Sequence, residues 1–260
     1  LLFTDFENQL NIENYLLQSE GGSDLAIISL NESGDILWIL GDGGENDQIA
    51  QKILCDAEGN IYIMGKFNQS INLNGNVFSS NGTFDMFLAK YSGDGIFQWL
   101  KTFGGPNSES FEDIKITTQS ILLAGRFYDY TIIENDTLFS YDGTDLFVMK
   151  LDFDGNVLST FSAGGEGVDV VSGISADAYG NVYLAGDFYK TIHFGNLTFD
   201  AGDKLGLYLA KLNSSLQLQW AYEFVGDDLK PGIRIATSPS GDIFATGAFS
   251  SQVVFNEQTL

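Results

Sequence analysis

A nine-residue stretch, Gly180-Asn181-Val182-Tyr183-Leu184-Ala185-Gly186-Asp187-Phe188, recurs along this chain at nearly constant spacing, and that regularity restricts the fold more than any other feature. Its copies are Gly59-Asn60-Ile61-Tyr62-Ile63-Met64-Gly65-Lys66-Phe67, Ser120-Ile121-Leu122-Leu123-Ala124-Gly125-Arg126-Phe127 and Gly241-Asp242-Ile243-Phe244-Ala245-Thr246-Gly247-Ala248-Phe249. Leu1 to Phe6 aligns with Tyr62 to Phe67, so the equivalent positions Leu1, Tyr62, Leu122, Tyr183 and Phe244 lie 61, 60, 61 and 61 residues apart. A fixed period of this kind marks a supersecondary unit that cannot bury its own apolar faces and is completed by its neighbours.

Each repeat reads as four strands. Val170 to Ala176 is rich in small and β-branched residues, and the turn that follows, Asp177 to Asn181, places Gly180 where a hairpin loop needs a positive φ. The second strand contains Gly186, repeated as Gly65, Gly125 and Gly247, and glycine inside a strand marks a bulge or the close approach of another backbone. Next comes a hairpin signal, clearest in Ile71 to Phe78 with Asn74-Gly75 at its centre. A third strand follows (Met86 to Tyr91, Leu146 to Leu151, Gly206 to Leu212), then a fourth that carries Trp38, Trp99 or Trp220. No window shows sustained helical periodicity with caps. The expectation is an all-β protein, a β-propeller of four-stranded antiparallel blades stacked around an axis. The period exceeds the 40 to 50 residues usual for WD40 and kelch blades, and the hairpin between the second and third strands takes the excess. About 4.25 repeats are present, as blades at about 1–42 (partial), 43–103, 104–164, 165–226 and 227–260 (partial). That is an incomplete ring, expected to be closed by further residues of a longer chain or by another protein, since open sheet edges invite aggregation.

The motifs Gly59 to Phe67, Asp85 to Lys90, Gly95 to Trp99 and Phe103-Gly104-Gly105, taken together, resemble the bacterial β-propeller repeat called the SBBP repeat. The resemblance spans essentially the whole chain. It implies a secreted or surface-exposed protein exported by the type IX route, and it implies no catalytic residues. The sequence departs from the pattern in the third repeat, where Ser120 stands for Asn and Ser159 for Trp, and a less firmly packed outer strand is expected there.

Charge narrows the partners. With 35 acidic and 12 basic residues the chain carries a formal charge of −23, which repels nucleic acid and anionic membrane surfaces. No run of apolar residues is long enough to span a bilayer as a helix. The single cysteine, Cys55, permits no intrachain disulfide, and its counterparts Ile116, Ala176 and Thr237 suggest a small, largely buried slot. The single histidine, His193, aligns with Asn11, Asn72, Ile132 and Val254, which suggests a strand position. Asp152-Phe153-Asp154-Gly155-Asn156 opens like a calcium loop, but Ala163 stands where the bidentate glutamate belongs, so a hairpin turn is expected. Asp24, Asp85 and Asp145 recur at the start of the third strand, and Lys90, Lys150 and Lys211 at its end, as framework groups.

The loops joining one repeat to the next carry Asp42, Glu45, Asp47, Glu109, Glu112, Asp113, Glu166, Asp169, Asp227 and Asp228. In a propeller these share one face, where a ring of carboxylates could hold calcium or a basic surface. No other cofactor or metal is expected. The favoured function is a non-catalytic extracellular module that binds a protein or glycan, or packs against further domains of the same chain. The alternative is a propeller enzyme of the glycoside hydrolase or lyase type with a site at the central channel. Arg234, Lys52 and Asp113, on first strands and different in each repeat, are its best residues, yet they form no recognisable catalytic set.

Overall fold

The computed structural model describes residues 1–134, 136–226, 229–238, 241–250, 253–255 and 258–259. These residues form 21 strands and no helix, and nearly every strand pairing is antiparallel, so the chain is all-β. The first repeat supplies β1 (Leu2–Ile12), β2 (Tyr15–Leu30) and β3 (Ile36–Asp42). The second supplies β4 (Gln48–Cys55), β5 (Ile61–Phe67), β6 (Ser70–Leu73), β7 (Asn76–Ser79), β8 (Asp85–Tyr91) and β9 (Phe97–Phe103). The third supplies β10 (Ser110–Ile116), β11 (Ile121–Ile133), β12 (Asp136–Leu151) and β13 (Val157–Ala163). The fourth supplies β14 (Glu166–Ala176), β15 (Val182–Phe194), β16 (Leu197–Leu212) and β17 (Leu218–Gly226). The rest is β18 (Leu229–Thr237), β19 (Ile243–Phe249), β20 (Val253–Phe255) and β21 (Gln258–Thr259). By compactness the chain divides into two units, Leu1–Phe111 with Thr131–Asn135, and Glu112–Tyr130 with Asp136–Leu260.

In the first unit β1-β2-β3 make one sheet and β4-β5-β8-β9 another, with β6-β7 as a separate hairpin. Leu25 and Ile27 of the first sheet pack with Ile61, Ile63, Phe87 and Ala89 of the second. Residues alternate between faces along a strand, yet β5 and β8 are buried on both, which is why they read as unbroken apolar runs. The outer strands β4 and β9 are only partly covered and are more mixed. The β6-β7 turn has positive φ at both Asn74 (52°) and Gly75 (80°), the pair of values a two-residue type I′ turn requires.

In the second unit β14 to β17 repeat the four-stranded plan, and in β11-β12 and β15-β16 the connecting hairpin runs on unbroken from the inner strands. Leu122, Leu146 and Val148 of the third repeat share a core with Leu184, Phe188 and Tyr208 of the fourth. Farther along, Leu207 and Leu209 meet Leu229 and Ile233 of β18. The glycine within the second strand is explained here. A Cβ on Gly186 would collide with the Val170 carbonyl and the Tyr208 hydroxyl, and the opposing strand bulges at the same place, between Val171 and Gly173. Gly65 meets the Ile49 carbonyl and the Phe87 ring in the same way, opposite a bulge between Ala50 and Lys52.

In the second and fourth repeats the signature residues form one network. Asp177 accepts the backbone N–H groups of Tyr179 and Asn181 (both 2.9 Å), the Asn181 amide (2.7 Å) and the Tyr183 hydroxyl (2.9 Å). The Lys211 ammonium lies over the Tyr183 ring at 5.2 Å and Trp220 packs beside it. Asp56, Asn60, Tyr62, Lys90 and Trp99 repeat the set. Burial pushes both aspartates up, but the hydrogen bonds outweigh it and hold each carboxyl below its ordinary value. The third repeat loses the set together: Thr117 and Ser120 cap the turn, Leu122 replaces the tyrosine, and Lys150 donates instead to the Ser214 carbonyl at 2.8 Å. Ser159, in the tryptophan's place, has its hydroxyl buried without a partner among the described residues.

Cys55 departs from the expected buried slot. It ends β4, paired with Ile61, and its side chain is exposed, whereas Ile116, Ala176 and Thr237, which end β10, β14 and β18, are half-buried.

Candidate functional site

The loop carboxylates are mostly consumed by the backbone. Each repeat's first linker glycine accepts a hydrogen bond from the following hairpin: Asn72 N–H to Gly43 (2.6 Å), Ile132 N–H to Gly104 (2.9 Å) and His193 N–H to Gly164 (2.9 Å). These glycines are required by their neighbours, since a Cβ would strike the carboxylates of Asp24, Asp85 and Asp145 respectively. Those aspartates are buried and cap their own strands, Asp24 from Glu20 N–H, Asp85 from Asn81 N–H and Asp145 from Tyr141 N–H. The fourth repeat has Gly206 in place of the aspartate and Val225 in place of the linker glycine, so the two positions change together.

Beside each buried aspartate stands a second buried group. Glu109 and Asp169 are both 0 % exposed and accept the N–H of the second linker glycine, Gly105 (3.1 Å) and Gly165 (2.8 Å). Burial, reinforced by the charges of Asp85 and of Asp145 and Asp187, raises Glu109 to about 7 and Asp169 to about 8. Asp145 is raised to about 6 for the same reason. Glu109 Oε1, Asp145 Oδ1 and Asp169 Oδ1 are buried with no hydrogen-bond partner among the described residues. The first linker solves the problem differently. Gln48 replaces the second acid, its amide donates to the Ser70 carbonyl (2.9 Å), and the Gly44 N–H turns to Asp24 (3.0 Å). The neutral amide thus stands where the other two linkers place an acid that burial and a neighbouring carboxylate both push toward its protonated form.

The remaining loop acids are spread over different tasks. Asp47 accepts the Ser23 N–H at 3.1 Å, and Glu45 is exposed. Asp113 accepts from Ile114 N–H (2.9 Å) and Ile174 N–H (3.0 Å), tying β10 to β14. Glu112 pairs with Arg126 at 2.9 Å and Glu166 with Lys190 at 3.9 Å. Asp227 and Asp228 lie outside the described residues. Of the residues considered for catalysis, Asp113 is thus spent on backbone and Arg234 donates to the Ile233 carbonyl (3.2 Å). His193 pairs with Thr198 across its hairpin (2.9 Å). Asp152 caps its turn through Asp154 and Asn156, as the turn reading requires. Among the described residues, no three of His, Cys, Asp and Glu gather in a group that could hold a metal.

Asp42 alone opens onto a cavity. A pocket of about 300 Å³ in the first unit is walled by Leu25, Ile27, Leu40, Ile63, Leu73 and Phe97, with Asp42, Asn74 and Tyr91 as its polar groups. Asp42 pairs with Leu25 in register, and at that register the other sheets place Phe103, Ala163 and Phe224. One carboxylate oxygen accepts the Asn74 N–H at 2.6 Å and the other the Gly43 N–H at 3.2 Å. Burial is the main cause that raises its carboxyl to about 6, aided by the charges of Glu20 and Asp24. The sequence carries this signal, an acid where sister repeats are apolar, but it shows only when the linkers are aligned position by position.

Together these features define an all-β repeat protein, built from antiparallel sheets with buried carboxylates in its linkers and an apolar pocket that carries Asp42. No protein-family model matches the chain, and a search of the curated proteins finds no match.

Proposed function

We propose that the chain is part of a β-propeller that serves as a non-catalytic interaction module of a secreted or cell-surface protein. The observation that carries this reading is the hairpin that lengthens each repeat. Its exposed apolar side chains differ from copy to copy: Tyr15 and Leu16, Val77 and Phe78, Phe139 and Tyr141, Tyr189 and Leu197. In a repeat protein the shared residues build the frame and the variable exposed ones meet partners. Phe139 and Tyr141 are each 70 % exposed, which a frame residue of that size rarely is. The ring itself is supported by the recurring joint, in which each linker glycine bonds to the next hairpin. The strong negative charge favours a neutral or basic partner.

The test replaces Tyr128, Phe139 and Tyr141 with serine and measures binding of the purified chain to the surface of unpermeabilised producing cells. Binding is expected to fall at least tenfold with the melting temperature unchanged. Full binding by the variant, or a chain found only inside the cells, contradicts the proposal.

A further inference from the structure

We propose that the Asp42 pocket is a binding site for an alkylammonium group, the chemistry of a lysine side chain. The floor is apolar and deeply buried, with Leu25, Ile63 and Leu73 at 2 % exposure or less, while Gly41 and Asn74 at its mouth are exposed. A butyl stem therefore loses its water against the walls, which favours entry by roughly 0.8 kcal/mol per methylene. The acid sits where a cationic head then arrives. Glu20 and Asp24 add negative charge from β2, and Tyr91 presents a phenol from β8, which feels the Asp42 charge. An ammonium is a compact point charge that answers this summed field, with Asp42 and Tyr91 carrying the oxygens on the pocket wall. A neutral alkyl ligand would strip water from Asp42 and leave it only the Gly43 and Asn74 N–H groups to offset its charge, so the site discriminates by charge.

Sister repeats show what the position does without this role. Phe103 and Phe224 place a ring where Asp42 stands, and an acid in that apolar register costs stability unless something is gained from it. The proposal rests on the module reading only in naming a partner's lysine as the source of the ammonium. The pocket can be tested whatever the chain's role.

The experiment is an NMR titration of the whole chain with n-butylammonium, with N-acetyl-lysine methylamide in a second arm and n-butanol as the neutral control. Saturable shifts of the Gly43 and Asn74 amides are expected at pH 8, at least tenfold weaker for D42N and absent for D42F, which replaces the carboxylate with the ring that Phe103 places at this register. Binding is expected to weaken severalfold at pH 5, where the Asp42 carboxyl is protonated. Entry of the lysine derivative as well as butylammonium assigns the source to a side chain, and entry of butylammonium alone assigns it to a free amine. Equal binding of butanol, unchanged binding by a folded D42N, or no saturation overturns the proposal.

Discussion

Glu109 and Asp169 are fully buried acids in a protein with acid to spare, and each lies beside another carboxyl. Both hold their protons to higher pH in the folded chain than in the unfolded one. Their contribution to stability is therefore complete below about pH 4 and is lost as pH rises through about 7 for Glu109 and about 8 for Asp169. The chain is expected to melt at falling temperature between pH 5 and pH 9. E109Q and D169N, which copy the amide that Gln48 already supplies in the first linker, should each flatten that slope. Melting curves across pH decide the matter, and variants running parallel to the parent would contradict protonated acids at these two positions. At the same scale, Asp177→Ala orphans the donors of its turn and of Tyr183, and is expected to cost about 2 kcal/mol in denaturant unfolding. A loss near zero would mean water replaces the carboxylate.

The four-strand plan was legible in the sequence because its cues are local. Asn74-Gly75 names a turn type, Gly186 and Gly65 announce a close approach, and the tyrosine, lysine and tryptophan of each signature meet across three adjacent strands in register. What stayed hidden depends on position along a strand or on the neighbouring sheet. Cys55 aligns with Ile116, Ala176 and Thr237, which are half-buried, but is itself left uncovered at the end of β4. Glu109 and Asp169 read as solvent-facing loop acids because loops are usually wet, whereas each is fully buried and takes the N–H of the second linker glycine four residues before it. Asp42 was counted among the acidic loop residues, and its difference from the others lies in the pocket beneath it. One element-scale prediction follows from the bulged strand pair. Gly186→Ala forces a methyl against the Val170 carbonyl and the Tyr208 hydroxyl and is expected to cost about 1–3 kcal/mol. Retained stability would show that β14 can shift to admit it.

At the scale of the whole molecule, the linkers after the first three sheets share a glycine whose carbonyl takes an N–H from the following hairpin, and similar joints repeated along a chain are what a regular stack of sheets requires. The second and third strands of the second and fourth repeats are buried on both faces over their central runs, as strands sandwiched between neighbouring sheets are. A crystal structure of the chain, extended by whatever residues flank it, measures this directly. The account predicts that one rotation about one common axis superposes each four-stranded sheet on the next, with the long hairpins at equivalent places around it. Two sheets packed face to face, or strands climbing a single column, would contradict it.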